Sequence, residues 1–425
     1  MPGLACSMTD SSPPTAARLP TWLWLLAVVL ITLNLRPFLT APGPLGHAIQ
    51  TATGMGLRMF SWLTLLPMVL MGVGTWLAPA ALRRLGLRPA IVWALLAIGL
   101  GCALRLAGAN AWVLVATAGL CGAGVALVQG ILPGLIKRQS PHRMAVMMGL
   151  YSAALMGGGA LSAQLSPWAM QWGLGWQAAL AMWAVPVLVT LPLAWWVLGR
   201  LPGLPAPVQT AADHAQAHTP ANTPASDTGW LVRRPRTWLL LLSFGLMNGG
   251  YASTVAWLAP FYQTHGWSGT ESGSLLALLS VAQALAALAV PALAARSTDR
   301  RLWIMAMLAL QVLGFSGLAC WPDAAPTLNA LVLGVGLGGC FALFMVVALD
   351  HLPSPTQAGA LNALMQGGGF ILAALAPWIV AQLHQSSGSW TPGWLYQAGV
   401  AALVGLLSAR FNPRHYAQRL RAPAT

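Results

Sequence analysis

The chain has 425 residues, of which 57% are hydrophobic and only 7% are charged, and it contains 21 tryptophans. Soluble domains carry roughly 25% charged residues, so this composition excludes an ordinary soluble protein with a polar surface. The formal net charge of +14 would suit a nucleic-acid-binding protein, but the basic residues form short clusters between apolar runs. That distribution is typical of the loops of a membrane protein and predicts no nucleic-acid partner.

Twelve apolar runs are long enough to cross a bilayer, which takes about 20 residues of α-helix. They predict an all-α membrane protein with twelve transmembrane helices, which we number spans 1 to 12 in chain order. The runs cover approximately residues 21–42, 60–81, 89–107, 111–136, 144–169, 176–198, 237–262, 271–295, 302–321, 326–349, 358–383 and 391–410.

The spans divide into two predicted bundles of six helices, residues 21–198 and residues 237–410. Residues 199–236 between them are rich in Pro, Ala and Thr and show no apolar periodicity, which predicts a flexible cytoplasmic linker. Residues 1–20 and 411–425 are predicted to be cytoplasmic tails.

The basic residues predict how the chain is oriented in the membrane. With both termini in the cytoplasm, eighteen of the 21 Lys and Arg residues fall in cytoplasmic segments, and the three others are Arg36, Arg58 and Arg105. Cytoplasmic loops of membrane proteins carry an excess of Lys and Arg. We therefore expect a multi-pass protein of the bacterial inner membrane with both termini in the cytoplasm.

A pattern repeated at a distance of 210 residues relates the two halves of the chain. In each half three adjacent glycines are followed, after seven residues, by Pro-Trp, at Pro167-Trp168 and at Pro377-Trp378. The repeated glycines are Gly157, Gly158, Gly159, Gly367, Gly368 and Gly369. A duplicated membrane bundle with the substrate between its halves is the plan of many secondary transporters.

Glycine is roughly 1 kcal/mol less favourable than alanine at each helical position, so these triplets require a compensating benefit. We expect that benefit to be close sliding contact between the halves during alternating access. The alternative is ordinary close packing of helices at small residues.

Arg36 is the most informative single residue, because it lies about fourteen residues into span 1 and directly before Pro37. An arginine at this depth costs a few kcal/mol and normally faces the bundle interior or a substrate path. Alternatively, its side chain reaches outward to water or binds the carbonyl that the proline leaves free. All seven acidic residues lie in tails, loops or span ends. The missing counter-charge predicts an anionic or neutral substrate.

Other polar residues at membrane depth extend the predicted site. Asn248, Tyr251 and Thr254 step by three residues and therefore share one face of span 7. Each polar residue alone would also fit an interhelical hydrogen bond, and Trp257 fits a cavity wall as well as the membrane interface. The predicted substrate-binding residues are Arg36, Asn34, Gln129, Tyr151, Asn248, Tyr251, Trp257 and Gln366.

The sequence contains no nucleophile elbow, no paired catalytic carboxylates, no metal-binding helix and no phosphate-binding loop. We therefore predict that the protein is not an enzyme and that it needs neither a cofactor nor a metal ion. The five cysteines show no pairing pattern and are interpreted as small packing residues.

Several motifs resemble one known family. Residues 33–37, 122–126, 132–138 and 360–369 are similar to segments of the cyanate and 2-nitroimidazole transporters within the major facilitator superfamily. The resemblance implies two pseudo-symmetric six-helix bundles, alternating access, and a cavity lined by spans 1, 4, 7 and 10. It also implies export or uptake of small anionic or neutral compounds.

The expected function is therefore secondary transport of a small molecule by a monomer embedded in the lipid bilayer. Two other interpretations remain open from the sequence. One is a broader exporter of drugs or metabolites, and the other is a transporter-like sensor that binds its ligand without moving it.

Overall fold

The computed structural model describes residues 20–108, 110–140, 143–201, 229–297, 299–416 and 420. All regular secondary structure within these residues is helical. Eleven of the described helices are long and apolar enough to cross a membrane. A twelfth, Thr391–Ser408, completes the predicted set, although polar residues such as Gln397 lower its mean hydropathy.

The twelve spans begin and end within a few residues of the predicted runs. Residues 202–228 of the predicted linker and residues 1–19 of the N-terminal tail lie outside the described residues, as do residues 417–419 and 421–425. The helical bounds are Thr21–Leu33 with Pro37–Thr40, Leu57–Leu85, Leu87–Ala103 with Leu104–Ala107, Ala111–Gln139, Met144–Gln171, Trp176–Ala181 with Ala184–Arg200, Pro235–Thr264, Gly269–Ala294, Arg301–Cys320, Pro326–Asp350, Pro355–Ser387 and Thr391–Ser408.

Span 1, predicted over residues 21–42, consists of two helical segments separated by a break. The helix stops at Leu33 and resumes at Pro37. Proline lacks an N–H and its ring clashes with the preceding helical turn, so it kinks or breaks a helix. Pro67 and Pro79 lie inside the continuous helix of span 2, whereas the chain breaks before Pro37. Arg36 therefore lies in the break itself.

The same pairs of helices pack together in both halves. Extensive contacts join span 1 with spans 5 and 6, span 2 with span 4, and span 3 with spans 4 and 6. The second half repeats all five contacts with every span number raised by six. This repetition confirms the duplicated twelve-helix architecture predicted from the glycine pattern.

The largest contacts between the halves join span 2 with span 11 and span 5 with span 8. Glycines allow the backbones to approach closely at both places. A Cβ atom on Gly72 of span 2 would lie 2.5 Å from the carbonyl oxygen of Gly367. Similarly, a Cβ atom on Gly273 of span 8 would lie 2.5 Å from the carbonyl oxygen of Ala163.

A buried histidine joins the helices of the second half on the side where span 1 begins and span 12 ends, which we call the terminal side. His351 follows span 10, and its Nε2 accepts a hydrogen bond from Arg236 Nε of span 7 at 3.0 Å. Its Nδ1 lies 2.6 Å from the Val347 carbonyl oxygen, and its ring stacks on Tyr416. Nδ1 therefore donates, Nε2 accepts, and the ring is neutral. Burial, with a smaller effect from Arg236, lowers the pKa of His351 to about 4.

Acid should destabilise this end of the bundle. Burial depresses the pKa of His351 from 6.5 to about 4. The contribution of its neutral ring to the free energy of unfolding is therefore fully present above pH 6.5 and is lost as the pH falls through 4. The loss should reach roughly 3 kcal/mol at low pH. Thermal unfolding in detergent between pH 7.5 and 4 should show a fall in Tm that is smaller in His351→Gln, whereas His47→Gln, at an exposed position, should follow the wild type. An equal fall in all three proteins would contradict the assignment.

Candidate functional site

Arg36 lies at the centre of the bundle, and only 2% of its surface is exposed. Its guanidinium faces the ring of Tyr251 in span 7, with Cζ 4.9 Å from the ring centroid. This cation–π contact joins the two halves of the protein. Within the described part of the chain, Nε and Nη1 of Arg36 have no hydrogen-bond partner.

The described acidic residues lie far along the spans from Arg36. Glu271 caps the start of span 8, and Asp350 is the last residue of span 10. Asp299 and Asp323 lie between helices, and Asp299 and Asp350 form ion pairs with Arg301 and Arg300. A buried charge without a partner is unfavourable by several kcal/mol, so an electron-rich ligand at Arg36 would recover part of that energy.

The first glycine triplet, on span 5, supports the break in span 1. A side chain at Gly158 would overlap the carbonyl oxygen of Leu33, the last residue before the break. A Cβ atom on Gly159 would lie 3.3 Å from the Cγ2 atom of Thr40 and 3.6 Å from the Cβ atom of Arg36. The absence of side chains at these positions lets the broken segment pack directly on span 5.

A small cavity lies beside Arg36 between the two halves. Its volume of about 10 Å³ is close to that of one water molecule. It is lined by spans 1, 5, 7, 8 and 10, so the expected contribution of span 4 is replaced by spans 5 and 8. The lining residues are Arg36, Leu155, Met156, Met247, Asn248, Tyr251, Gln283, Leu337 and Phe341.

Three of the eight predicted binding residues, Arg36, Asn248 and Tyr251, therefore line the cavity. The side chains of Gln129 and Tyr151 lie next to each other near this cavity, and the hydroxyl of Tyr151 lies close to the guanidinium of Arg36.

The remaining predicted binding residues lie outside the lining of this cavity. Gln366 is buried in span 11 next to the second triplet. The Asn34 amide donates to Thr190 of span 6 at 2.9 Å and to the Leu30 carbonyl at 2.8 Å, so Asn34 holds spans 1 and 6 together. Its predicted role in substrate binding stays a prediction.

Trp257 belongs to an aromatic cluster outside the lining of this cavity, and its predicted role in substrate binding stays a prediction. It is fully buried, and its Nε1 donates to the Pro377 carbonyl of span 11 at 2.8 Å. Its ring centroid lies 5.8 Å from that of Phe60 in span 2 and 5.5 Å from that of Trp390. These contacts close the bundle on the side opposite the terminal side, which we call the distal side.

Hydrogen bonds between the halves add to this closure on the distal side. They are formed mostly by neutral amides and hydroxyls, at distances of 2.8 to 3.0 Å. They join Gln164 to Ser274, Gln171 to Thr270, Gln263 to Pro44 and Arg58 to Gln385. Beyond them lies an open cavity of about 650 Å³, separate from the cavity at Arg36.

One position of the two triplets contacts the other half of the protein, and the predicted sliding at this contact stays a prediction. A side chain at Gly367 would overlap Trp76 of span 2, in the other half. Gly368 instead lies against Leu241 of span 7 in its own half, just as the first triplet lies against span 1. Gly158, Gly159, Gly368 and Gly369 therefore match the alternative of ordinary close packing, whereas Gly157 has no described neighbour within 4 Å.

Alanine substitutions should separate these packing roles. Gly158→Ala should lower Tm and expression, because the new Cβ atom would overlap the backbone of Leu33. A Cβ atom on Gly157 would meet no neighbouring helix within 4 Å among the described residues, so Gly157→Ala should be neutral or stabilising by up to about 1 kcal/mol. Fluorescence-detected size-exclusion chromatography after heating would measure both. Equal stability of the two variants would contradict the packing assignment.

A comparison with known proteins identifies the class to which this architecture belongs. The profile of the Major Facilitator Superfamily matches residues 24–371 and again residues 266–424. The chain belongs to this superfamily of multi-pass membrane proteins and is a secondary transporter of small compounds.

Two curated relatives are similar over nearly their whole length. The chain is 41% identical to the cyanate transport protein CynX of Escherichia coli (strain K12), covering 93% of this chain and 98% of the relative. It is 32% identical to the 2-nitroimidazole transporter of the same organism, covering 91% of this chain and 93% of the relative.

Solved structures show the same fold at low sequence identity. A D-xylose-proton symporter superposes with a TM-score of 0.74 at 13% identity, covering 92% of this chain and 98% of that structure. A bacterial homologue of the human lysosomal transporter Spinster, in an inward-facing and occupied conformation, superposes with a TM-score of 0.70 at 14% identity, covering 96% of this chain and 100% of that structure.

Proposed function

We propose that the protein moves a small anionic or neutral compound, resembling cyanate or 2-nitroimidazole, across the bacterial inner membrane by alternating access. The observation that carries this proposal is the buried guanidinium of Arg36, which faces the cavity with two unpaired donors among the described residues. A planar guanidinium binds oxyanions and nitro-like oxygen pairs through parallel hydrogen bonds. The names of the two curated relatives supply the size and chemistry of the substrate.

The position of the site supports alternating access. Arg36 belongs to the first half and Tyr251 to the second, so their contact forms only when the halves close around the centre. The cavity holds about one water molecule, which is smaller than either candidate compound. Substrate entry therefore requires the halves to separate, as in other transporters built from two repeats.

We further propose that the protein works as a monomer in the lipid bilayer, with both termini in the cytoplasm, and that it is not an enzyme. The site lies between two halves of one chain, which supports the monomer. Large apolar side chains such as Trp93, Leu302 and Leu406 are more than half exposed, as expected for helices that face lipid.

The charge distribution favours particular modes of transport. Moving one negative charge inward against 100 mV costs about 2.3 kcal/mol. Proton-coupled transporters commonly use a carboxylate within the membrane as a relay, whereas the described acids lie at span ends or between spans. This arrangement favours outward movement, exchange or facilitated flux over proton-driven accumulation of an anion.

Substitution of Arg36 tests the proposal. Arg36→Lys keeps the charge but loses the planar pair of donors, and it should bind substrate weakly. Arg36→Gln should reduce affinity roughly 10- to 100-fold, the usual value of a charged hydrogen bond. The measurements are binding and flux of cyanate and 2-nitroimidazole in proteoliposomes.

The matched control is Arg105→Gln. Arg105 is equally buried, with two unpaired donors in the described structure, but lies at the end of span 3 outside the cavity lining. It should keep its substrate affinity. Full activity of Arg36→Gln would refute the proposal, and binding without flux in the wild type would identify a sensor.

The orientation has its own test. A reporter that works only in the cytoplasm should be active when fused after Arg410, because that position follows span 12 on the terminal side. A reporter that works only in the periplasm should be active when fused after Gly388, which lies between spans 11 and 12. The reverse pattern would invert the proposed topology.

A further inference from the structure

Gln283 of span 8 faces the same cavity as Arg36 but belongs to the other half of the protein. Only 1% of its surface is exposed. Its Oε1 atom is buried and makes no hydrogen bond to any described residue. A buried carbonyl oxygen without a donor is unfavourable, and native structures contain few of them.

The packing of span 8 on span 10 holds Gln283 in this position. A side chain at Gly338 of span 10 would overlap the backbone carbonyl of Gln283, and one at Gly334 would lie 2.5 Å from the carbonyl oxygen of Leu279. The two backbones therefore touch, which fixes the backbone of Gln283 beside the cavity.

A second buried glutamine shows what a purely structural role looks like in this half. Gln311 of span 9 is also 1% exposed, but its Nε2 donates to the carbonyl of Gly336 at 3.0 Å. That bond ties span 9 to span 10. Gln283 makes no corresponding bond within the described structure, so its amide is available to a ligand.

We infer that Gln283 is a specificity-determining residue, which accepts a hydrogen bond from an N–H group of the substrate while Arg36 binds the substrate's oxygens. The inference rests on the proposed function, because it assigns a second residue to the same site. The ligand class is a small planar molecule with an electron-rich end and a hydrogen-bond donor beside it. A nitro-heterocycle with a free ring N–H has both features, whereas the cyanate anion has no hydrogen to donate.

Such a ligand would bridge the halves of the transporter. Its oxygens would bind Arg36 of span 1 and its N–H group would bind Gln283 of span 8. A ligand held by both halves stabilises the closed arrangement more than one held by a single half. Substrates with the donor would therefore be selected at the closing step as well as at binding.

Two probes that differ in one hydrogen-bond donor test this inference. They are 2-nitroimidazole and its 1-methyl derivative, which keeps the nitro group and loses the ring N–H. The wild type in proteoliposomes should bind 2-nitroimidazole about tenfold more tightly, the difference expected for one buried hydrogen bond. Gln283→Met, a near-isosteric change, should reduce this ratio to about one by weakening the binding of 2-nitroimidazole.

Ser280→Ala is the matched control, since Ser280 lies one turn earlier on span 8 and, among the described residues, bonds to Leu276 of its own helix. It should keep the wild-type ratio. If Gln283→Met does not fold, Gln283→Glu provides the second test, because a carboxylate placed beside Arg36 would pair with it and lower the affinity for both probes at least tenfold.

The outcomes distinguish the two proposals. A tenfold preference that survives in Gln283→Met, or unchanged affinities in Gln283→Glu, would overturn the role of Gln283 while Arg36-dependent flux still supported the transporter. Failure of the wild type to move cyanate and both nitroimidazoles would instead refute the proposed function.

Discussion

The structure depends on one unfavourable placement, a guanidinium buried at the centre of a membrane bundle without a carboxylate partner among the described residues. Arg36 stays there because Pro37 interrupts span 1 and leaves Arg36 in the break. The glycines of span 5 then let that break pack closely, and the ring of Tyr251 supplies partial compensation from the other half. A ligand with negative charge or electron-rich oxygens completes an arrangement that the protein alone leaves incomplete.

Duplication has produced two halves that use the same motif differently. In the first half the glycine triplet supports a broken helix that carries Arg36, the proposed binding residue. In the second half the equivalent span 7 is continuous, and Gly367 of the triplet reaches Trp76 across the boundary between the halves. The symmetric helix contacts thus provide a common frame, while the differences within that frame separate ligand binding from contact between the moving parts.

The spans, the duplication and the burial of Arg36 could be predicted from the sequence because they depend on local composition and on a single costly residue. The finer assignments depend on contacts between distant residues. Asn34 and Arg36 differ by two positions, so they face different neighbours, and only the bond of Asn34 to Thr190 shows which one leaves the cavity. Trp257 was ambiguous until its bond to Pro377 placed it. Gln283 was indistinguishable from other buried glutamines, since no local signal marks an amide without a partner.

The uncompensated charge of Arg36 also has a consequence for bioenergetics. A fixed positive charge in a medium of low dielectric constant raises the local electrostatic potential and repels other cations from the narrowest point of the path. Channels that conduct water exclude protons with an arginine placed in this way. The cavity beside Arg36 has room for about one water molecule, and a hydronium ion there would be repelled for the same reason. The empty transporter should therefore leave the proton gradient intact, so a cell can keep many copies in its membrane without dissipating its energy supply.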